Sequence, residues 1–258
     1  MKYIRKAIVL ILVAVFIAAI AVGLSVVFAV RNINIIRVAY SVGGAEGGSE
    51  EFSSAVSSIE DGLSQYKGKT IVTVGEDDIA AVVAGSGYAE LVSVEKIYPC
   101  TINVTVRERV EMFAVRLEDG SGYNMLDAAC KTVAISPENA NNADGSPNVL
   151  LECVPAEDYS SVTGIAKLFE ERFSSVRAFA ESISVVSGAV GGDVMSIKLR
   201  CGLTMELRDY KSRTLEKAEA LCDAFSRIDD SLKLGGTMYC VQTVSGNLSV
   251  AITGVGTV

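Results

Sequence analysis

The chain of 258 residues contains no histidine and no tryptophan, and only four of its residues are proline. The absence of histidine excludes hydrolases that pair a serine or cysteine nucleophile with an imidazole base, and it excludes zinc sites with imidazole ligands. The sequence also lacks a glycine-rich phosphate loop, a GxSxG motif and a paired-carboxylate signature. We therefore expect no enzyme, and no catalytic, cofactor-binding or metal-binding residues.

Basic residues are too few and too scattered for a nucleic-acid partner. The 23 Lys plus Arg residues stand against 31 Asp plus Glu residues, which gives a net charge of −8. Phosphate groups are bound by clustered Lys and Arg. The basic residues at 198–200 and 208–213 are interleaved with apolar or acidic ones. We expect neither nucleic acid nor a small-molecule substrate to bind.

The cysteines do not form an obvious framework of disulfides. None of them belongs to a CxxC pair, and spacing alone cannot choose among the ways of pairing six thiols. Cys222 and Cys240 occupy apolar positions of a predicted helix and a predicted strand, where cysteine acts as a small buried apolar residue. The pattern favours free thiols. The six are Cys100, Cys130, Cys153, Cys201, Cys222 and Cys240.

A long apolar run follows the basic N-terminus. Residues 7–30 contain no charged residue and no proline, and Lys2, Arg5 and Lys6 precede them. This length predicts a transmembrane helix, and the basic flank predicts a cytoplasmic tail at 1–6, with the rest of the chain outside the cytoplasm. The alternative is a cleaved secretory signal, but the run is longer than the apolar core of such signals.

Residues 31–109 carry the pattern of a small α+β unit. Residues 32–40 are rich in β-branched side chains and predict a strand, and 49–66 has apolar residues on one helical face behind a serine cap. The spacing at 73–76 fits a capping box and predicts a second, shorter helix. Both helices should cover one face of a three-stranded sheet. The hairpin that completes the sheet is predicted at 91–98 and 101–107.

A second domain is predicted at 110–258. A polar segment at 136–148, with two prolines and four asparagines, indicates an exposed loop, and helices are predicted at 160–183 and 215–228. The fold class is therefore α+β: a single N-terminal transmembrane helix, a β-α-α-β-β unit, and a mixed β-sheet domain with two helices. The strands of this domain are predicted at 112–117, 123–127, 132–135, 148–154, 195–199, 203–207, 237–241 and 248–252.

This layout and two motifs resemble the FtsQ/DivIB family of bacterial cell-division proteins. The first motif is the hairpin Val94-Glu-Lys-Ile-Tyr-Pro-Cys-Thr-Ile-Asn-Val-Thr-Val-Arg-Glu-Arg109, and the second is Leu126-Asp-Ala-Ala-Cys130. The family usually has proline after the Glu-Arg pair, where this chain has Val110, and glycine where it has Cys130. Both departures affect turn geometry, so the chain is similar to a divergent member.

The resemblance implies a function without a reactive group. It implies that 31–109 is a POTRA domain and 110–258 a β domain, and that the chain is a scaffold of the division machinery. The implied partners are the membrane-anchored division proteins FtsL and FtsB/DivIC, bound outside the membrane, with a role in controlling septal peptidoglycan synthesis. The implied localisation is the cell membrane at the division septum, as a single-pass protein.

The last hairpin is the candidate site for partner binding. A sheet that ends in a hairpin at the chain terminus leaves an edge whose free N–H and C=O groups can pair with another strand. In the family the final strands have this role, although an ordinary closing hairpin would have the same sequence pattern. A groove between helix 49–66 and strand 32–40 is a second candidate surface. The expected contact residues are Val241, Thr243, Ser245, Gly246, Leu248 and Val250.

Two alternatives belong to other classes of protein. A Ser–Lys hydrolase anchored to the membrane would need a serine and a lysine in one cleft. Ser212, beside Lys211 and Lys217, offers such a group, but serine is also expected there as a helix cap. A surface adhesin released by cleavage of a signal is the other alternative.

Overall fold

The computed structural model describes residues 2–40, 48–141, 145–188 and 192–254, without the side chains of 2–10 and 21. The fold is mixed α+β, with a three-stranded and a nine-stranded sheet. The chain forms two compact units, Met1–Arg109 and Val110–Val258.

The N-terminal helix, α1, comprises Lys2–Val27. Among the residues that the structure describes, no helix is long and apolar enough to cross a membrane. The predicted transmembrane helix at 7–30 is therefore wrong, as are the cytoplasmic tail and the single-pass membrane localisation that depended on it. The last residues of the apolar run belong to the first folded unit, because Val30 is only 1% exposed in its core.

The first unit has the element order that its sequence predicts. The sheet order is β1-β3-β2, with β3 parallel to β1 and antiparallel to β2. The apolar faces of both helices pack on one side of this sheet and form the core of the unit. The elements are β1 (Asn32–Val38), α2 (Glu50–Ser64), α3 (Glu76–Ala84), β2 (Ala89–Ile97) and β3 (Thr101–Glu108).

Short-range hydrogen bonds explain where these helices begin. The Ser49 hydroxyl accepts a bond from the Phe52 amide at 3.1 Å, as the sequence predicts for a cap. The capping box of α3 was predicted at Thr73 and Glu76, which is two positions too early. The N-cap is Gly75, and its amide donates to the Asp78 carboxylate at 2.9 Å.

The Glu108 carboxylate joins both ends of the segment that links β1 to α2. Oε2 accepts a bond from the Tyr40 amide at 3.0 Å, and Oε1 accepts one from the Ser49 amide at 2.7 Å. Glu108 is 4% exposed. Arg109, the other half of the Glu-Arg pair, donates to the Gly87 carbonyl at 2.8 Å. Both residues of the motif therefore bond to backbone groups elsewhere in the unit, which is a structural role.

We expect Glu108→Ala to lower the free energy of unfolding of the first unit by about 2–3 kcal/mol, because two amides lose a buried acceptor. Glu108→Gln keeps one good acceptor oxygen and should cost about half as much. Urea unfolding measures both, with Glu90→Ala on the exposed surface of β2 as the control. A change below about 0.5 kcal/mol for Glu108→Ala would contradict this role.

The second unit is built on one mixed sheet. Its strand order is β12-β11-β10-β9-β8-β7-β4-β5-β6. The buried side chains of the sheet and of its two longer helices share one core. Its elements are β4 (Phe113–Arg116), β5 (Tyr123–Leu126), β6 (Thr132–Ser136), β7 (Val149–Glu152), α4 (Tyr159–Phe173), α5 (Val176–Phe179), β8 (Ala180–Val186), β9 (Val194–Leu199), β10 (Thr204–Arg208), α6 (Thr214–Arg227), β11 (Thr237–Gln242) and β12 (Leu248–Thr253).

The single helix predicted at 160–183 is wrong. Ser174 has a left-handed backbone with φ 67°, which ends α4, and the short α5 leads into the strand β8. Phe173 and Phe179 stack with ring centroids 3.9 Å apart, so the aromatic residues still share one cluster. Apolar spacing alone did not reveal the turn between them.

The polar segment at 136–148 is not simply an exposed loop, as the sequence predicted. Asn141 and Asn148 are 3% and 1% exposed. The Asn141 side-chain amide donates to the Glu111 carbonyl at 2.5 Å and to the Asn148 side-chain oxygen at 3.0 Å. These bonds satisfy polar groups that would otherwise be costly to bury.

Cys130, the last residue of the Leu126–Cys130 motif, has a left-handed backbone with φ 56°. The Asp127 carboxylate accepts bonds from the amides of Ala129 and Lys131, each at 2.9 Å, which closes the turn. The thiol packs 3.6 Å from the Thr163 hydroxyl.

We expect Cys130→Gly to be more stable than Cys130→Ala by about 1 kcal/mol. Both variants lose the buried sulfur, but only glycine is free of the steric cost of a positive φ. Urea unfolding of the two variants measures the difference. Equal stability, or a more stable alanine variant, would show that the backbone at this position is not strained.

Candidate functional site

The candidate site is the edge strand β12. It pairs with β11 in an antiparallel register that runs from Gln242 opposite Leu248 to Thr237 opposite Thr253. Within the described part of the chain, β12 has β11 as its one neighbour in the sheet. Among the described residues, no strand pairs with the side of its backbone that faces away from β11, and this side is called the open edge below.

Two hydrogen bonds show which backbone groups point to this open side. The Thr243 amide donates to the Asn247 carbonyl at 2.8 Å, and the Thr204 amide donates to the Gly236 carbonyl at 3.0 Å. Bonded and non-bonded pairs alternate along an antiparallel ladder. The first bond marks a bonded pair of the β11–β12 hairpin, and the second shows which residues of β11 point to β10, so both give the same assignment. Ser249, Ala251 and Thr253 bond to β11. The N–H and C=O groups of Leu248, Val250 and Ile252 point to the open edge.

The side chains of β12 differ between its two faces. Leu248, Val250 and Ile252 are partly buried and pack against the core of the unit. Ser249 and Thr253 are exposed on the other face. A strand added to this edge would continue both faces, so its side chains should alternate between apolar and polar.

The six predicted contact residues are divided between the edge and the turn. Leu248 and Val250 lie on the open edge. Val241 lies on β11 opposite Ser249, so its backbone bonds within the hairpin. Ile252 was missed, although the i, i+2, i+4 spacing from Leu248 could have identified it. Three predicted residues form the turn instead: Thr243, Ser245 and Gly246.

The structure shows no hydrogen bond, among the described residues, between Ser212 and either of the lysines that a Ser–Lys hydrolase would use. Lys217 is fully buried, and its Nζ donates to the carbonyls of Arg208 and Asp209 at 3.0 and 2.5 Å. Among the hydrogen bonds of the described residues, Lys217 Nζ has no serine partner. Lys211 faces Asp193 at 3.4 Å. Ser212 is also not the cap of α6, because that position is Arg213.

A buried hydrogen bond joins Tyr210, in the turn between β10 and α6, to Asp158, the N-cap residue of α4. Tyr210 is fully buried, and its hydroxyl donates to the Asp158 carboxylate at 2.5 Å. Burial, followed by this hydrogen bond, raises the pKa of Tyr210. The phenol is therefore a neutral structural donor, with no tendency to act as a base at neutral pH.

The cysteines are free thiols, and three of them, Cys130, Cys222 and Cys240, are buried. Burial raises the pKa of Cys222 to about 12, and it raises the pKa of the other two as well. A protonated thiol is a poor nucleophile and a poor metal ligand. Over the described ranges, no group of three or more Cys, Asp or Glu residues is placed to hold a metal ion.

At the predicted groove between α2 and β1, the charged atoms of Arg37 and Glu60 are 3.7 Å apart. A cleft of about 290 Å³ also lies between α2 and the segment after α3. Small residues line most of it: Ser54, Ala55, Ser58, Gly85 and Ser86.

Neither a family model nor a curated protein matches this sequence. The resemblance to the FtsQ/DivIB family therefore rests on the two motifs and on the order of the elements.

Proposed function

We propose that the chain is a non-enzymatic scaffold of the bacterial cell-division machinery, of the FtsQ/DivIB type. Its partners would be FtsL and FtsB/DivIC, and its role would be to help control septal peptidoglycan synthesis by holding these partners together. The observation that supports this most strongly is the open edge of β12, whose outward backbone groups belong to Leu248, Val250 and Ile252.

The edge suits a short strand with alternate apolar residues. Three residues offer both an N–H and a C=O group, and each backbone hydrogen bond contributes about 0.5–1.5 kcal/mol net. The apolar side chains of the added strand would extend the core beside Leu248, Val250 and Ile252. Backbone pairing would supply affinity, and these side chains would supply specificity.

The first unit supports the same proposal through its architecture. Two helices on a three-stranded sheet, in the order strand, helix, helix, strand, strand, are what the resemblance implies for a POTRA domain. Glu108 and Arg109 of the hairpin motif bind backbone groups of this unit. The motif residues thus maintain the fold, and the proposed binding belongs to the sheet edge.

The test is direct binding between purified proteins. We expect the full chain to form a complex with purified FtsB/DivIC, alone or together with FtsL, with a Kd in the micromolar range or tighter in isothermal titration calorimetry. If neither partner binds at about 100 µM, the proposal is wrong.

A further inference from the structure

A single arginine joins the turn of the last hairpin to the start of α6. Arg213 Nη1 donates to the Gly246 carbonyl at 2.8 Å, and its Nε donates to Glu216 Oε2 at 2.8 Å. A second guanidinium nitrogen, Nη2, bonds to the same carboxylate oxygen. The guanidinium is therefore held at one end by the helix while its other end holds the turn.

The backbone of Arg213 is left-handed with φ 55°, an unfavourable state for a residue with a side chain. Its side chain makes no hydrogen bond as a cap of α6. The bond from Arg213 lowers the pKa of Glu216, so this carboxylate is ionised at neutral pH and fixes the guanidinium.

Within the described ranges, the turn at 243–247 has no comparable second contact with another element. Residues 243–247 bond to each other and to Gln242, and Thr243, Val244, Ser245 and Asn247 are exposed. Among the hydrogen bonds of the described residues, the one from Arg213 alone joins this turn to another element. The turn also begins β12, so its position determines where the open edge starts.

We propose that Arg213 is a positioning residue of the docking edge, which holds the hairpin turn in place before a partner strand arrives. This inference rests on the proposed function, because it concerns the same edge. Without the bond from Arg213 to the Gly246 carbonyl, called the latch below, the turn and the first residues of β12 would separate from the sheet more often. The apparent Kd for a partner strand would then rise in proportion to the loss of the ordered state.

The experiment compares Arg213→Ala and Arg213→Lys with Arg227→Ala, a change of the same residue type at the other end of α6. Hydrogen–deuterium exchange of 242–249 is followed in the free protein, and the Kd for purified FtsB/DivIC is measured by calorimetry. We expect Arg213→Ala to leave the turn ordered only about a tenth to a fifth of the time, so that exchange approaches the rate of an unfolded chain and the Kd rises about fivefold to tenfold. Arg213→Lys should recover part of both, and Arg227→Ala should change neither.

Glu216→Gln provides a second variant, since it keeps Arg213 but weakens the anchor of its guanidinium. It should show a smaller increase in exchange of the same segment. Unchanged exchange in Arg213→Ala overturns the inference, and so does faster exchange with an unchanged Kd. A raised Kd without faster exchange would mean direct contact with the partner and would also overturn it. Absence of binding by the unmodified chain would instead refute the proposed function, while the exchange data still test the latch.

Discussion

Val250→Pro is expected to abolish capture of a partner strand, with a loss of at least about 100-fold in affinity for FtsB/DivIC. The Val250 amide points to the open edge and has no role in the ladder with β11, where Ser249 and Ala251 make the bonds. Proline removes this donor, and its ring occupies the space where the partner backbone would lie. Calorimetry with the purified partner measures the loss.

Two controls separate lost binding from lost folding. Val250→Ala keeps the amide and should weaken binding far less, by about tenfold or less for a partly buried side chain. Ser249→Pro removes an amide that bonds to β11, so it should disturb the hairpin itself. If Val250→Pro has native stability and binds within about threefold of the unmodified chain, the partner does not pair with this edge.

Lys217→Met is expected to lower the free energy of unfolding by about 2–4 kcal/mol. Methionine preserves most of the packing of the side chain, but the carbonyls of Arg208 and Asp209 lose a buried charged donor. Urea unfolding of the full chain measures the change in the transition of the second unit.

Lys211→Met is the matched control, because the Lys211 side chain is 55% exposed and its pairing with Asp193 is screened by solvent. We expect this control to change the free energy of unfolding by less than about 1 kcal/mol. Equal effects of the two substitutions would show that Lys217 does not stabilise the turn.

Local signals predicted the parts of the fold that depend on neighbouring residues. Ser49 placed the start of α2, and the alternation of apolar residues placed β9 and β10. Each signal lies within a few residues of the element that it predicts. Such patterns determine which face of a helix or strand is buried.

The errors arose where distant residues decide the structure. The apolar run at 7–30 indicated one transmembrane element, whereas its end at Val30 is packed in the core of the first unit. Asn141 is buried because it bonds to Glu111, 30 positions away in the sequence. Lys217 is buried because a turn presents two carbonyls to it. A single sequence contains no record of these pairings.

The candidate site was predictable to the level of the hairpin, but not to the level of its hydrogen bonds. The direction of each backbone group follows from the register between β11 and β12, and one shifted position would exchange Leu248 and Val250 for Ser249 and Ala251. The latch from Arg213 to Gly246 joins residues 33 positions apart. Neither the direction of these backbone groups nor the bond from Arg213 can be read from the sequence, because both depend on the three-dimensional structure.

Amide exchange along β12 is the most direct test of the central claim. In the free chain, NMR should show fast exchange for the amides of Leu248, Val250 and Ile252 and slow exchange for Ser249 and Ala251. On binding of FtsB/DivIC, the first three amides should become protected by at least about tenfold, while the other two change little. A complex that forms without new protection at Val250 and Ile252 would contradict strand addition at this edge.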